Sequence, residues 1–213
     1  MVNAAFDDFT DSDRNLNAHT PNFGFGGWTY SGAANEWKIA GNKAEKALTD
    51  NDTQFCRSDD DVADDRFDIW SDFTRSSGGE FSGERHGLYI LASKITAIAN
   101  GEGVQVVLIH LTGSQMNFKI IRRDSAGVEQ QNTLLMTISI PSGASLRIGA
   151  TVSGLNVTGW TEPAGGGTRT DRGTVVLTAD LRDGNHKRIG LTGRCESNAP
   201  LATIDNLTLI LNR

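Results

Sequence analysis

Aspartate and tryptophan side chains are the residues of this sequence best able to act on a ligand. In the segment Phe67–Phe73 they alternate with apolar residues, which places Asp68, Trp70 and Asp72 on one face of an extended strand. An indole between two carboxylates suits a core poorly, because both carboxylates would need buried partners. The spacing therefore predicts an exposed face on which Trp70 stacks against a sugar ring or packs against a partner protein; burial beneath a loop is the third alternative.

Other aromatic residues lie where loops are expected. Trp28 and Tyr30 belong to the glycine-rich segment FGFGGWTY, and Trp160 ends a predicted strand beside a loop. For each of them, a place in the core or in an interface is the alternative to ligand contact. Trp37 shares a strand face with Ile39 and is assigned to the core. The predicted ligand-binding residues are Trp28, Tyr30, Asp68, Trp70, Asp72 and Trp160.

Two groups of aspartates could hold a metal ion. One is the acidic run from Asp59 to Asp65, in which Asp59 and Asp61 are the predicted ligands. The other joins Asp7 and Asp8 near the start of the chain to Asp205 near its end. Hard carboxylate oxygens suit Ca²⁺, so calcium is the expected cofactor. The alternatives are a solvated acidic loop for the first group and turn-capping side chains for the second.

Patterns of the common catalytic sites are missing from the sequence. Glycoside hydrolysis needs two carboxylates about 5–10 Å apart, and Asp68 and Asp72 share a face without a glutamate partner. The four histidines are isolated, without a partner two or four residues away, which argues against zinc. No serine lies in a Gly-x-Ser-x-Gly turn. We therefore expect no catalytic residues.

Composition excludes several classes of function. The 213 residues carry 26 acidic and 20 basic side chains, a net charge of −6, so no basic face for nucleic acid is expected. No segment approaches the roughly 20 apolar residues of a membrane span. The opening MVNAAFDDFTDSD lacks the basic and apolar regions of a secretory signal. Cys56 and Cys195 are expected to be two buried thiols, and a disulfide between them is the alternative.

Short strands separated by glycine, asparagine, aspartate and serine make up most of the pattern. The longest irregular stretches are Leu16–Ala34, Thr49–Arg66 and Glu162–Arg172. The sequence predicts an all-β, two-sheet antiparallel jelly-roll sandwich in one domain covering residues 1–213. The predicted strands are Glu36–Ile39, Lys43–Leu48, Phe67–Phe73, Gly87–Ser93, Val104–Leu111, Asn117–Arg123, Thr133–Ile140, Ser145–Val152, Leu155–Trp160, Thr174–Leu181, Lys187–Thr192 and Thr203–Leu211.

The order of several motifs resembles concanavalin A-like, laminin-G-like jelly-roll domains. They are FDDFTDSD, the GGW of Gly26–Trp28, EWKIAGNKA of Glu36–Ala44, LYILAS of Leu88–Ser93, SLRIGATVSGLNVTGW of Ser145–Trp160, and GLTGR followed by ATIDNLTL within Gly190–Leu209. The resemblance implies a two-sheet fold that hosts lectins, glucanases, lyases, adhesion modules and phage virion proteins. The Glu-x-Asp-x-x-Glu strand of its glucanases is absent here.

These features favour a non-catalytic structural or adhesion module on a particle surface, such as a phage tail, baseplate or capsid decoration, with glycan binding left open. The alternative is a carbohydrate-binding module of an exported polysaccharide-processing system, and a polysaccharide-cleaving enzyme is less favoured. Expected partners are other virion or surface-assembly proteins and cell-surface polysaccharide, with a homo-oligomer left open. Nucleic acid and membrane insertion are not expected. The expected location is the virion surface or the extracellular space.

Overall fold

Two antiparallel sheets packed face to face form the protein, as the short predicted strands indicated. The structure is a computed structural model. It describes residues 3–32, 37–46, 50–76, 82–195 and 202–212. Within this part of the chain, the only helical segments are the short 3₁₀ turns Leu16–Ala18, Ile98–Asn100 and Ala179–Arg182. No helix in these residues is long and apolar enough to cross a membrane.

The front sheet contains both ends of the described chain. Its last strand in sequence lies in the middle of the sheet, which is the non-consecutive order of a jelly roll. The first strand, β1 (Asn3–Asp7), pairs with one end of that last strand. In spatial order the other strands are β14 (Thr170–Val176), β13 (Asn156–Pro163), β12 (Ser145–Ser153), β7 (Arg66–Arg75), β16 (Ala202–Leu211), β5 (Lys43–Lys46), β4 (Trp37–Ala40) and β2 (Arg14–Asn15).

The back sheet has seven strands and supplies the other wall of the core. An inner strand, β9 (Gly103–Thr112), is nearly all apolar, as expected for a strand covered on both faces. In spatial order the strands are β11 (Glu129–Ser139), β10 (Gln115–Arg123), β9 (Gly103–Thr112), β8 (Arg85–Ala92), β15 (Arg188–Cys195), β6 (Asp50–Ser58) and β3 (Trp28–Tyr30).

Strand alternation sorts side chains between the core and the outer faces as predicted. On β7, Phe67, Ile69 and Phe73 are fully buried in the core, whereas Trp70 lies on the opposite, partly exposed face. Trp37 is also fully buried, as expected. Cys56 and Cys195 are both buried and unbridged, so the prediction of two thiols is confirmed.

Some predicted loops are strands instead. The sequence predicts an irregular stretch from Thr49 to Arg66, yet residues Asp50–Ser58 of this stretch form β6, which is paired with β15 on one side and β3 on the other. Neighbouring backbone on both sides outweighs a weak local preference for strand. The predicted strand Thr174–Leu181 ends at Val176, and its last residues form a 3₁₀ turn. Three positions of the predicted strands lie outside the described residues: Glu36, Ala47 and Leu48.

A candidate ligand-binding site on the front sheet

Two tryptophans face each other on the outer surface of the front sheet. The register of β7, β12 and β13 places Trp70 beside Gly149, and Gly149 beside Trp160. The ring centroids of the two indoles are 6.1 Å apart, with an interplanar angle of 49°. A Cβ atom on Gly149 would lie 2.2 Å from the Trp160 ring, so this position needs a residue without a side chain. Glycine thus lets the Trp160 indole lie flat across the neighbouring strand toward Trp70.

Two arginines cover the faces of these indoles. The guanidinium carbon of Arg147, on β12, lies 5.8 Å from the Trp70 ring centroid. That of Arg169, in the connection between β13 and β14, lies 4.7 Å from the Trp160 ring centroid. Both distances are within the range of cation–π attraction. The two arginines hold the aromatic pair in place from above.

Arg147 is itself fixed by carboxylates. Its Nε and Nη2 atoms donate to the two oxygens of Asp72 at 2.8 and 3.2 Å, a bidentate pair. Asp72 also accepts a hydrogen bond from Asn206 at 3.1 Å. Glu162 lies on the other side of Arg147, with 3.9 Å between the nearest charged atoms. Asp72 therefore contributes to the site by holding the Arg147 side chain in position.

Asp68 holds the other end of the site. It accepts hydrogen bonds from Asn212 at 2.7 Å and from the Thr151 hydroxyl, and its Oδ1 lies 3.4 Å from Nη1 of Arg169. Arg169 also pairs with Asp171 at 2.7 Å. These contacts tie the loop that carries Arg169 down onto the sheet.

The resulting pocket is shallow and open, with a volume of about 190 Å³. Trp160 is only 3% exposed, and its indole Nε1 has no hydrogen-bond partner among the described residues. Apolar ring faces surrounded by fixed polar groups suit a sugar ring, whose CH face stacks on an indole while its hydroxyls meet side chains. The lining residues are Asp68, Trp70, Arg147, Trp160, Glu162, Arg169 and Ile210.

The structure separates the predicted ligand-binding residues into two groups. Asp68, Trp70 and Trp160 line the pocket, and Asp72 supports it. Trp28 and Tyr30 lie on β3 of the back sheet, away from this surface. Trp28 is 2% exposed and donates from Nε1 to Asp7 at 2.9 Å, and Tyr30 packs against the core. Neither residue lines this pocket. Trp28 is placed in the core, which was the alternative to ligand contact, and ligand contact by the partly buried Tyr30 stays a prediction.

Arg147, Glu162 and Arg169 were missed by sequence reasoning. Arg147 could have been found, because it alternates with the apolar residues of its strand and so must face outward. Glu162 and Arg169 become neighbours of Asp68 and Trp70 only through the pairing of β7 with β12 and of β12 with β13. No local pattern in the sequence specifies that strand order.

The three terminal aspartates of the predicted calcium site lie in different environments. Asp7 is fully buried and accepts hydrogen bonds from Trp28, His19 and the Phe9 amide. Burial raises the pKa of Asp7 despite these donors. Asp8, the next residue, accepts from the Thr10 amide and is partly exposed. Burial also raises the pKa of Asp205, and the negative charge of Asp8 adds to that shift.

The acidic loop is also held by protein contacts. Asp59 accepts a hydrogen bond from the Thr29 hydroxyl at 2.6 Å. Asp61 pairs with Lys94 at 2.7 Å and lies 3.6 Å from Arg188. Lys94, the larger cause, lowers the pKa of Asp61. Within the described part of the chain, no group of three or more histidine, cysteine or acidic side chains is arranged to hold a metal ion.

Calcium binding remains a prediction that melting experiments test. A ligand that binds only the native state raises its stability by about 2.7 kcal/mol at a hundredfold excess over Kd. If Ca²⁺ binds at either aspartate group, Tm in millimolar Ca²⁺ should therefore be several degrees higher than Tm in EDTA. Calorimetry on the same sample in both buffers measures this, and coincident curves would remove calcium as a cofactor at such affinities.

Comparison with known proteins identifies the fold. No protein-family model and no curated protein matches the chain. Among solved structures, it is similar to the GH43 protein BlXynB of Bacillus licheniformis (TM-score 0.65, 15% identity, 98% of this chain and 39% of that one). It is also similar to a legume lectin-like domain of Entamoeba histolytica (0.60, 8%, 87% and 90%) and to the CBM2 module of the evolved Dit of Lactobacillus casei BL23 phage J-1 (0.52, 11%, 98% and 96%).

These likenesses confirm the resemblance found in the sequence at the level of fold. The chain has a concanavalin A-like jelly-roll sandwich, and its structural neighbours include lectin-like and carbohydrate-binding modules. The chain spans about two-fifths of the length of the GH43 protein. A fold of this kind carries many functions, so the function has to be argued from the site.

Proposed function

We propose that this jelly-roll protein is a non-catalytic glycan-binding module. The observation that carries the proposal is the facing pair Trp70 and Trp160 in an open pocket. The partly exposed Trp70 ring, backed by the buried Trp160 indole, gives a sugar ring an apolar surface, and the polar rim supplies hydrogen bonds to its hydroxyls. The lectin-like and carbohydrate-binding neighbours support the proposal at the level of fold.

The charges of the pocket favour an uncharged sugar. Arg147 is paired with Asp72, and Arg169 is paired with Asp68 and Asp171, so neither guanidinium lacks a carboxylate. Carboxylates outnumber guanidiniums around the rim, which disfavours a ligand that brings further negative charge. We therefore assign neutral pyranose rings to this pocket.

The same contacts argue against catalysis. Glu162 lines the pocket together with Asp68, so a glutamate that the strand motif lacks is supplied from β13, two strands away from β7. Yet Asp68 is engaged by Thr151 and Asn212, and Glu162 accepts the Gly167 amide at 2.6 Å. Glycosidases need one carboxyl group to protonate the leaving oxygen and a second to act as base or nucleophile. Both groups here serve as fixed structural acceptors.

For the setting of this module we propose a particle surface, such as a phage tail, baseplate or capsid decoration. The likeness to a module of a phage Dit protein supports this setting, since it covers nearly the whole of both chains. A carbohydrate-binding module of an exported polysaccharide-processing system is the second candidate, favoured by the match to part of a GH43 protein. A fixed copy number in purified particles would distinguish the first setting from the second.

Replacing Trp70 by alanine tests the proposed function. Binding to the neutral glycan that the native protein prefers should weaken by about 2 kcal/mol or more, which is roughly 30-fold in Kd. Folding should stay nearly intact, because Trp70 lies on the outer face. Affinity electrophoresis through gels containing β-glucans, alginate or capsular polysaccharide gives the binding, and thermal melting gives the stability.

Leu134→Ala is the control, because Leu134 is a large apolar residue with 51% exposure on β11, in the other sheet of the sandwich. It should bind as the native protein does. The proposal fails if Trp70→Ala leaves binding unchanged, or if the native protein releases reducing ends from any glycan of the panel.

A further inference from the structure

A cleft opens between the two sheets at one edge of the sandwich. β11 is the edge strand of the back sheet and β14 is an edge strand of the front sheet, and residues of both line the cleft. Its volume is about 450 Å³, more than twice that of the Trp70 pocket and within the usual range of small-molecule sites. Its apolar lining residues are Met136, Ile138, Ile140, Pro141, Ala144 and Leu146.

Both walls of the cleft come from the inner faces of the sheets. Met136 is in register with Phe118, and Ile138 with Met116, and both of these β10 residues are fully buried in the core. Because residues directly opposite on neighbouring strands share a face, Met136 and Ile138 point between the sheets. Leu146 alternates in step with the core residues of β12 and forms the facing wall. All three lining side chains are only partly buried, so they offer apolar surface to the cleft.

The cleft is bounded at both ends. Leu135, next to the lining residue Met136, reaches the front sheet: a Cβ atom on Gly159 would lie 2.5 Å from its Cδ1, and one on Gly173 would lie 3.0 Å from its Cδ2. At the other end, residues 140–144 connect β11 to β12 and so cross from one sheet to the other. A slot bounded in this way suits a ligand of limited length.

Arg172 brings one positive charge to the cleft. The pairing of β14 with β13 skips this residue, since Asp171 and Gly173 both have partners on β13, and Arg172 is the extra residue of a β-bulge. Bulges re-aim side chains. Here Nε of Arg172 donates to the hydroxyl of Thr161 at 2.8 Å, and Thr161 faces the core side of β13 with 2% exposure. The bulge therefore directs a guanidinium toward the space between the sheets.

This guanidinium lacks a counter-ion of its own. Arg172 is partly buried, and it forms no ion pair with a carboxylate among the described residues. Its two terminal nitrogens keep the fork geometry that matches a carboxylate. The Thr161 hydroxyl accepts from Arg172 and retains its own hydrogen to donate. One fixed cation and one hydroxyl beside an apolar slot are complementary to an anion that carries an apolar chain.

We propose that the cleft binds a small amphiphilic carboxylate. The alkyl chain lies between the walls formed by Met136 and Leu146, and the carboxylate accepts hydrogen bonds from Arg172. Sheets packed face to face are about 10 Å apart, so the slot admits a slender chain rather than the surface of a folded domain. Trp70 lies on the outer face of the front sheet, so this inference goes beyond the proposed glycan site and does not rest on it.

Calorimetric titration with butanoate, hexanoate and octanoate, and with octanol as the uncharged reference, tests the proposal. Each added CH₂ group should lower Kd about three- to fourfold, because that is the effect of burying one such group. The native protein should bind octanoate about tenfold or more tightly than octanol, which is the effect of a charge-assisted hydrogen bond. In Arg172→Gln this preference should disappear, while the affinity for octanol stays unchanged.

Arg66→Gln is the matched control, because it removes the same charge from an exposed arginine. Arg66 is in register with Ser153 at one end of β12, whereas the cleft lies at the Ser145 end. This variant should bind octanoate as the native protein does. Ala144→Leu adds side-chain volume inside the cleft and should weaken octanoate and octanol alike. Trp70→Ala should leave octanoate binding unchanged, so the two proposed sites succeed or fail separately.

Equal affinity of the native protein for octanoate and octanol would overturn the proposal, as would a preference for octanoate that persists in Arg172→Gln. A Kd independent of chain length would place the alkyl chain outside the cleft and overturn it as well. Tighter binding of a peptide with an apolar C-terminal segment than of octanoate would reassign the cleft to the chain end of a partner protein. Thermal melting reports whether each variant folds. If Ala144→Leu does not fold, the Arg172→Gln comparison still decides, because Arg172 is a partly exposed edge residue.

Discussion

Trp28→Ala is expected to destabilise the protein by about 3–5 kcal/mol, the usual cost of removing a buried aromatic side chain. Trp28 is 2% exposed, and its ring lies 4.9 Å from that of Phe25 and 6.0 Å from that of Phe9, centroid to centroid. The substitution also removes the indole N–H that Asp7 accepts at 2.9 Å. A fully buried carboxylate that loses a donor adds a further cost of about 1–3 kcal/mol.

Trp28→Phe separates these two contributions. It keeps most of the ring volume but not the N–H donor, so we expect a loss of roughly 1–3 kcal/mol from Asp7 alone. Urea unfolding followed by far-UV circular dichroism measures all three proteins, with Trp70→Ala as the outward-facing comparison. Native stability in Trp28→Ala together with weakened glycan binding would return Trp28 to the list of ligand residues.

The contrast between Trp28 and Trp70 shows what a sequence can specify. Trp70 is placed correctly because its neighbours alternate strictly, and the period of two assigns every side chain of the strand to a face. Trp28 follows two glycines in a segment without such a period. Its burial depends on Asp7, 21 residues earlier and on the other sheet, and no local pattern contains that contact.

The same distinction explains which parts of the fold and site were predictable. The central strands β7 to β10 and β12 were found within a few residues because their own residues show the pattern. β6 was missed because partners on both sides make it a strand. Of the residues that line the pocket, Asp68, Trp70 and Trp160 were predicted, because their own strand segments show the pattern that places them. Arg169 reaches Asp68 only because β12 alone separates β13 from β7, and strand order depends on long-range pairing.

Acid should destabilise the protein through His86. This residue lies on the core side of β8, is fully buried, and packs edge-on against Trp37 with 6.2 Å between ring centroids. Its ring nitrogens have no hydrogen-bond partner among the described residues. Burial, and secondarily the positive charge of Lys46, lowers the pKa of His86 from 6.5 to about 3. The imidazole is therefore neutral in the folded protein throughout the mildly acidic range.

The sign of the effect follows from proton binding. Between pH 6.5 and about 3 the unfolded chain takes up a proton at His86 that the folded protein does not. The free energy of unfolding therefore falls as pH falls through this window, by up to about 1.4 kcal/mol for each pH unit. Between pH 8 and pH 5, His86 alone should remove about 2 kcal/mol. The comparison stops at pH 5 because carboxylates dominate below it.

His86→Leu removes the titrating group while keeping an apolar side chain of similar size. The other three histidines are present in both proteins, so their contributions cancel in the difference between the two. Urea unfolding at pH 8 and pH 5 should show that the native protein loses about 2 kcal/mol more than the variant over this range. Parallel losses would mean that the folded protein accommodates a charged imidazole at position 86, and the neutral, desolvated state inferred from its burial would be wrong.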